Sequence, residues 1–146
     1  MTKRILVIDD EDDVREIIQL SLESTTSWDV LTASSGREGI EIAQSEHPDA
    51  ILLDVMMPFM DGPTTFKRLQ TVDTTSDIPT ILLTAKAQSR EQQEFMDLGV
   101  AGVITKPFLP EDLVVNICKI LHWDYMVYAN QAQDSEGVTE RRKRRK

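Results

Sequence analysis

Short apolar runs alternate with amphipathic stretches along the chain. The runs are Ile5–Ile8, Val30–Ala33, Ala50–Leu53, Thr80–Leu83 and Gly102–Thr105, all rich in Val, Ile or Leu. They lack the polar alternation of a half-exposed strand, so the pattern predicts strands covered on both faces, as in a parallel sheet. The intervening stretches at 11–25, 36–46, 62–72, 88–98 and 110–122 carry helical spacing. The first places Val14, Ile17, Ile18, Leu20, Ser21 and Leu22 around one broad face, and the second places Gly39, Ile40 and Ala43 on a face behind a Ser35 N-cap. Pro63 and Pro110 suit first helical turns, and Glu111 and Asp112 suit a helix dipole. The 88–98 stretch is mostly polar, anchored by Phe95 and Leu98, and is expected to be the loosest helix. Strand and helix alternate five times, which predicts a doubly wound α/β sheet with right-handed crossovers.

After Trp123 this pattern fades. Residues 124–133 contain Tyr125, Met126, Val127 and Tyr128, which either extend the last helix or pack on the body. Residues 134–146 are polar and charged without apolar periodicity and are expected to be disordered. The expected division is a domain over 1–123 and a C-terminal extension over 124–146, partly disordered and with a basic end.

Composition narrows the class. With 146 residues, 40% hydrophobic and 28% charged, the chain is expected to form one globular domain. No run approaches the roughly 18 consecutive apolar residues of a membrane span. The start, Met1-Thr2-Lys3-Arg4, lacks the cleavage site of a signal peptide, so a cytoplasmic location is expected. Cys118 is the single cysteine and reads as a small buried hydrophobe. His47 and His122 fall near helix ends and read as surface residues. The net charge of −9 is uneven: residues 1–133 hold 10 basic and 22 acidic side chains, whereas 134–146 hold 6 basic and 3 acidic. The body is therefore not expected to bind nucleic acid, and only the Arg-Arg-Lys-Arg-Arg-Lys end at 141–146 has the charge to do so. A solvated terminus and a tether to an acidic partner are the other readings of that end.

Candidate chemistry gathers where apolar runs stop. Asp9 and Asp10 follow the first run, Asp54 the third, Thr84 the fourth and Lys106 the fifth. Ligands of doubly wound sheets bind at the carboxyl ends of strands. Carboxylates sharing such a site repel unless a cation joins them. Mg2+ takes a few carboxylate oxygens and keeps several waters, leaving room for a phosphate. A hydroxyl and an ammonium beside it suit phosphoryl oxygens. Singly, each residue has a bland reading: an acidic pair as a helix start, a threonine as structure, Lys-Pro as a turn. Asp61-Gly62-Pro63 reads as a turn opening the third helix.

Four segments resemble the receiver domain of bacterial two-component response regulators, of the stand-alone type: Ile5-Leu6-Val7-Ile8-Asp9-Asp10-Glu11, Leu53-Asp54-Val55-Met56-Met57-Pro58-Phe59-Met60-Asp61-Gly62, Leu83-Thr84-Ala85 and Lys106-Pro107-Phe108. With the elements between them the resemblance covers about residues 3–122. It implies a flavodoxin-like five-stranded parallel sheet of order 2-1-3-4-5 with five helices. It implies that Asp54 accepts a phosphoryl group from a sensor histidine kinase or a histidine phosphotransfer protein, within two-component or phosphorelay signalling. Asp10, Asp54 and the Met56 carbonyl would ligate Mg2+ (or Mn2+), and Asp9 would hold a metal-bound water. Lys106 would pair with Asp54 and then with the phosphoryl group. The Thr84 hydroxyl and the Ala85 N–H would meet phosphoryl oxygens, and the Lys106–Pro107 peptide would be cis. An aromatic residue on strand five of similar proteins turns inward on activation. The matching residue here is Val103, which has no ring to rotate, so output is expected to rely on the fourth helix and the loop before it.

Such a domain is not an enzyme with turnover, although it would assist its own phosphorylation and slow dephosphorylation. Its signal would leave through intermolecular contacts with a downstream protein, or through a homodimer covered by Trp123–Tyr128. A phosphatase with an aspartyl nucleophile is the competing class. It usually carries a second acid two residues after the nucleophile, where this chain has Met56. A binding-only receiver would need a lost ligand, and a dinucleotide site would need a Gly-rich loop after the first strand; neither is found.

Overall fold

The computed structural model describes residues 2–86 and 88–128. The basic end and most of the expected extension lie outside them. The strands are β1 (Arg4–Ile8), β2 (Asp29–Ala33), β3 (Ala50–Asp54), β4 (Thr80–Thr84) and β5 (Gly102–Thr105). The helices are α1 (Asp12–Thr25), α2 (Gly36–Glu46), α3 (Gly62–Gln70), α4 (Ser89–Asp97) and α5 (Leu113–Leu121), the last entered through a 3-10 turn at Pro110–Asp112. The strands form one parallel sheet in the order β2-β1-β3-β4-β5, the expected flavodoxin-like topology.

The two-residue period of a strand sorts the apolar runs between two cores. Ile5, Val7, Leu52, Ile81, Leu83 and Ile104 join Ile18, Leu22, Leu113 and Ile117 beneath α1 and α5. Leu6, Ile8, Ile51, Leu53 and Leu82 join Ala43, Phe66 and Leu69 beneath α2 and α3. β3 and β4 are buried throughout, as continuous apolar runs predict. β2 departs from that expectation: it is an edge strand, with only Ala33 buried.

Local sequence sets the helix ends. Ser35 accepts from the Glu38 N–H and Asp61 from the Thr64 N–H, each capping its helix. His47 and His122 end α2 and α5 in the left-handed region. α4 buries none of its residues fully, in line with its polar sequence. The broad apolar face expected for α1 is narrower than its sequence: Ile18, Ser21 and Leu22 are buried, while Ile17 and Leu20 face solvent. The last core residue among the described residues is Tyr128, which stacks edge-on against Trp28 at 5.4 Å, with Trp123 beside both. Trp123 and Tyr128 thus pack on their own domain, leaving Tyr125, Met126 and Val127 outside. Cys118 is buried, and burial followed by the nearby Asp124 charge pushes its thiol up to about 11, an inert state. Among the described residues no helix is long and apolar enough to cross a membrane.

Phe59 adopts φ +68° with its side chain fully exposed, at 108%. The left-handed region costs an L-residue roughly 1–2 kcal/mol, part of which glycine loses again to chain entropy in the unfolded state. Phe59→Gly is expected to raise stability in urea unfolding by up to about 1 kcal/mol. A destabilised variant would show that the ring makes contacts that hold the loop.

Candidate functional site

The same period that builds the cores builds the site. Asp9 lies two residues beyond Val7, Asp54 two beyond Leu52 and Lys106 two beyond Ile104, so all three continue rows of the layer under α1 and α5. They meet at the carboxyl rim of β1, β3 and β5. Lys106 Nζ donates to Asp54 Oδ1 at 2.9 Å and to Asp9 Oδ2 at 3.3 Å. The Lys106–Pro107 peptide is cis, as expected. The Glu11 N–H donates to Asp9 Oδ1 at 2.9 Å, and Arg15 donates to the Asp9 carbonyl at 2.7 Å, tying down the turn between β1 and α1.

Negative charge outweighs positive here. Oxygens of Asp9, Glu11 and Asp54 lie within 4.8 Å of one another. At an effective dielectric of about 20, two charges at that spacing repel by roughly 3 kcal/mol. Burial pushes the Asp54 carboxyl above its ordinary 3.8; the Lys106 hydrogen bond opposes this, and the charges of Asp9 and Asp10 add to it. Burial pulls Lys106 down, but its hydrogen bond to Asp54 and the charges of Asp9 and Asp54 outweigh that and leave it above 10.5. One ammonium among several carboxylates is held charged, whereas the carboxylate it serves is still under-compensated.

That imbalance fits a divalent cation. Asp54 Oδ2 and Asp10 Oδ1 are buried without a hydrogen-bond partner. Oxygen donors at this density, with an oxygen of Asp54 and one of the neighbouring Asp10 unsatisfied, suit a hard cation such as Mg2+ or Mn2+. Asp10 stands outside the group of converging oxygens, and Glu11 stands inside it. Sequence reasoning passed over Glu11; the one available signal was a glutamate directly before a helix, where it makes a poor cap.

The other expected residues sit around this centre. The Thr84 hydroxyl accepts from the Lys86 N–H at 3.0 Å and makes no hydrogen bond to Asp54. Ala85 is exposed and lines, with Glu11, Val14, Lys106 and Phe108, a cleft of about 440 Å³. Met56 follows the acidic strand end with its side chain exposed. Gly62, read from sequence as part of a turn, has a tertiary role. A Cβ there would stand 2.5 Å from the Asp54 carbonyl oxygen and 2.8 Å from Val55 Cα. Its N–H donates to the Val55 carbonyl at 2.8 Å, so α3 starts pressed against the end of β3.

A doubly wound sheet with an acidic, lysine-bridged rim defines a signalling receiver. The chain belongs to the response regulator receiver domain family, which it matches over residues 5–118. It is 40% identical over 119 residues to a probable transcriptional regulator, ycf27, of Cyanophora paradoxa, covering 82% of this chain and 48% of that protein. It is 38% identical over 121 residues to the alkaline phosphatase synthesis transcriptional regulatory protein PhoP of Bacillus subtilis, covering 83% and 49%. The chain thus spans about half the length of these relatives. Among solved structures, the chemotaxis response regulator CheY4 of Vibrio cholerae superposes with a TM-score of 0.77 at 29% identity, covering 82% of this chain and 99% of that one.

Two outcomes follow from the geometry. Because its folded pKa is raised, Asp54 holds a proton more tightly in the folded state than in the unfolded chain. Stability is therefore lost as pH rises from the ordinary 3.8 through the folded value. In metal-free buffer Asp54→Asn should melt higher than wild type at neutral pH, with the gap closing below the ordinary carboxylate range; equal melting at neutral pH would contradict this. Gly62→Ala should lower stability in urea unfolding by about 2 kcal/mol, since the obstacle is backbone. A change within about 0.5 kcal/mol would show that the strand end yields freely.

Proposed function

We propose that Asp54 is the phosphoacceptor of a two-component signalling domain. The observation that carries this is the Lys106 ammonium bonded to both Asp9 and Asp54 at the rim of the sheet. An Asp54 oxygen attacks the phosphorus of a phosphohistidine; the P–N bond breaks and the imidazole keeps the electron pair. The product is an aspartyl phosphate, and attack by water on phosphorus returns the carboxylate.

Asp9, Asp10, Asp54 and the Met56 carbonyl would hold Mg2+ (or Mn2+), with Asp9 acting through a water. Bound there, the cation neutralises repulsion between the acceptor and the incoming phosphoryl oxygens. Lys106 exchanges its bond with Asp54 for one with the phosphoryl group. The Thr84 hydroxyl leaves Lys86 and the Ala85 N–H turns to the same group. Phosphoryl transfer passes through a loose transition state, so charge placement of this kind supplies most of the catalysis. Met56 offers no proton, which favours slow self-clearing over phosphatase turnover.

The donor is a sensor histidine kinase or a histidine phosphotransfer protein, and the output is contact with a downstream protein in the cytoplasm. We assign the receiver to residues 1–123. The two relatives above are named as transcriptional regulators, but nucleic-acid contact by this chain is confined in our reading to residues 141–146. A homodimer is a further form the output can take.

Incubation with acetyl phosphate and Mg2+ should add the mass of one phosphoryl group, measured on the intact protein. Asp54→Asn or chelation of the metal should abolish the gain, and Lys106→Met should slow it by about 100-fold. A phosphoryl gain that survives Asp54→Asn would assign the acceptor elsewhere.

A further inference from the structure

Glu11 stands at the N-cap position of α1, yet its side chain makes no cap hydrogen bond. Asp12 and Asp13 already supply first-turn acids to that helix. The Glu11 carboxylate instead lies within 4.8 Å of both Asp9 and Asp54. Three like-charged groups at this spacing repel one another, and a divalent cation bound among them would offset that repulsion beyond what Lys106 supplies. A second observation agrees: Asp54 is 3% exposed, and its Oδ2 is buried with no partner while Oδ1 serves Lys106.

We propose that Glu11 is an exchangeable ligand of the divalent cation. It completes the site while Asp54 is unmodified and cedes its place to a phosphoryl oxygen afterwards. The inference rests on the reading of Asp54 as acceptor and adds a ligand to the set named for it. Asp9 and Asp54 are buried, whereas Glu11 is exposed at the mouth of the cleft shared with Lys106 and Ala85. Of the three it is the one free to swing away. Mg2+ demands octahedral coordination and dehydrates reluctantly, so a new oxygen displaces an existing ligand. Exchanging one anionic oxygen for another leaves the local charge balance nearly unchanged.

The test is calorimetric titration of the full chain with Mg2+, paired with fluorine NMR of beryllofluoride binding at varied Mg2+. Glu11→Gln should weaken Mg2+ binding by about tenfold in the free protein and less than twofold in the beryllofluoride-loaded protein. Glu23→Gln, at an exposed acid farther along α1, should change neither. Thermal melts check that the variant is folded, and Glu11→Ala should give the same pattern. Free-protein affinity within twofold of wild type would remove Glu11 from the site. Equal losses in both states would refute the exchange. If wild type itself bound neither Mg2+ nor beryllofluoride, the acceptor reading would fall with the inference, a result distinct from failure of Glu11 alone.

Discussion

The buried acids at the carboxyl rim of this sheet are held by one ammonium group. Lys106 Nζ bridges the two buried acids, Asp9 and Asp54. A carboxylate in an apolar interior is costly unless paired, and leaving one behind when its partner is removed costs several kcal/mol. The pairing here is real but incomplete. Burial first, and the charges of Asp9 and Asp10 after it, raise the Asp54 pKa despite the lysine, and two buried oxygens at the rim are unsatisfied. A site that is stable yet under-neutralised has capacity for added positive charge, and the chain that carries it belongs to a family of signalling receivers.

The fold supports that tension by being unyielding beneath it. β3 and β4 are buried along their full lengths between two apolar layers. Gly62 seats α3 directly on the strand end that carries Asp54. The opposite quality appears one strand away. α4 buries no residue completely, and Gln92 ties it to β5 through Thr105 at 3.1 Å. Thr105 is the register partner of Thr84. The least buried helix is thus joined to the strand pair that ends at the site, while the matching position on β5 is Val103, which has no ring.

Much of this was readable in the sequence, and the reasons are specific. Continuous apolar runs specify buried parallel strands, and the residues that end them fall where such sheets bind ligands. Asp54 and Lys106 were legible for that reason, and Asp9 likewise. Glu11 was not, because its place depends on the angle of a turn rather than on any run. Gly62 read as a turn residue, since the strand it abuts ends eight residues earlier, across a loop that pattern does not describe. β2 read as buried because composition does not reveal which strand lies at an edge. The apolar face of α1 read too broad, since periodicity does not say how much of a face the sheet reaches. Trp123 and Tyr128 left a choice between packing and pairing that Trp28, almost a hundred residues earlier, resolves.

In the function we propose, one aspartyl oxygen in a lysine-bridged acidic pocket forms a reversible bond to phosphorus. Borohydride reduction of the phosphorylated chain, followed by peptide mapping, reads that bond at the residue where it forms, because an acyl phosphate is reduced to an alcohol. Homoserine is expected at position 54, with unreduced aspartate at positions 9 and 10. Conversion at another residue, or phosphoryl incorporation with no reducible acyl phosphate, would contradict it.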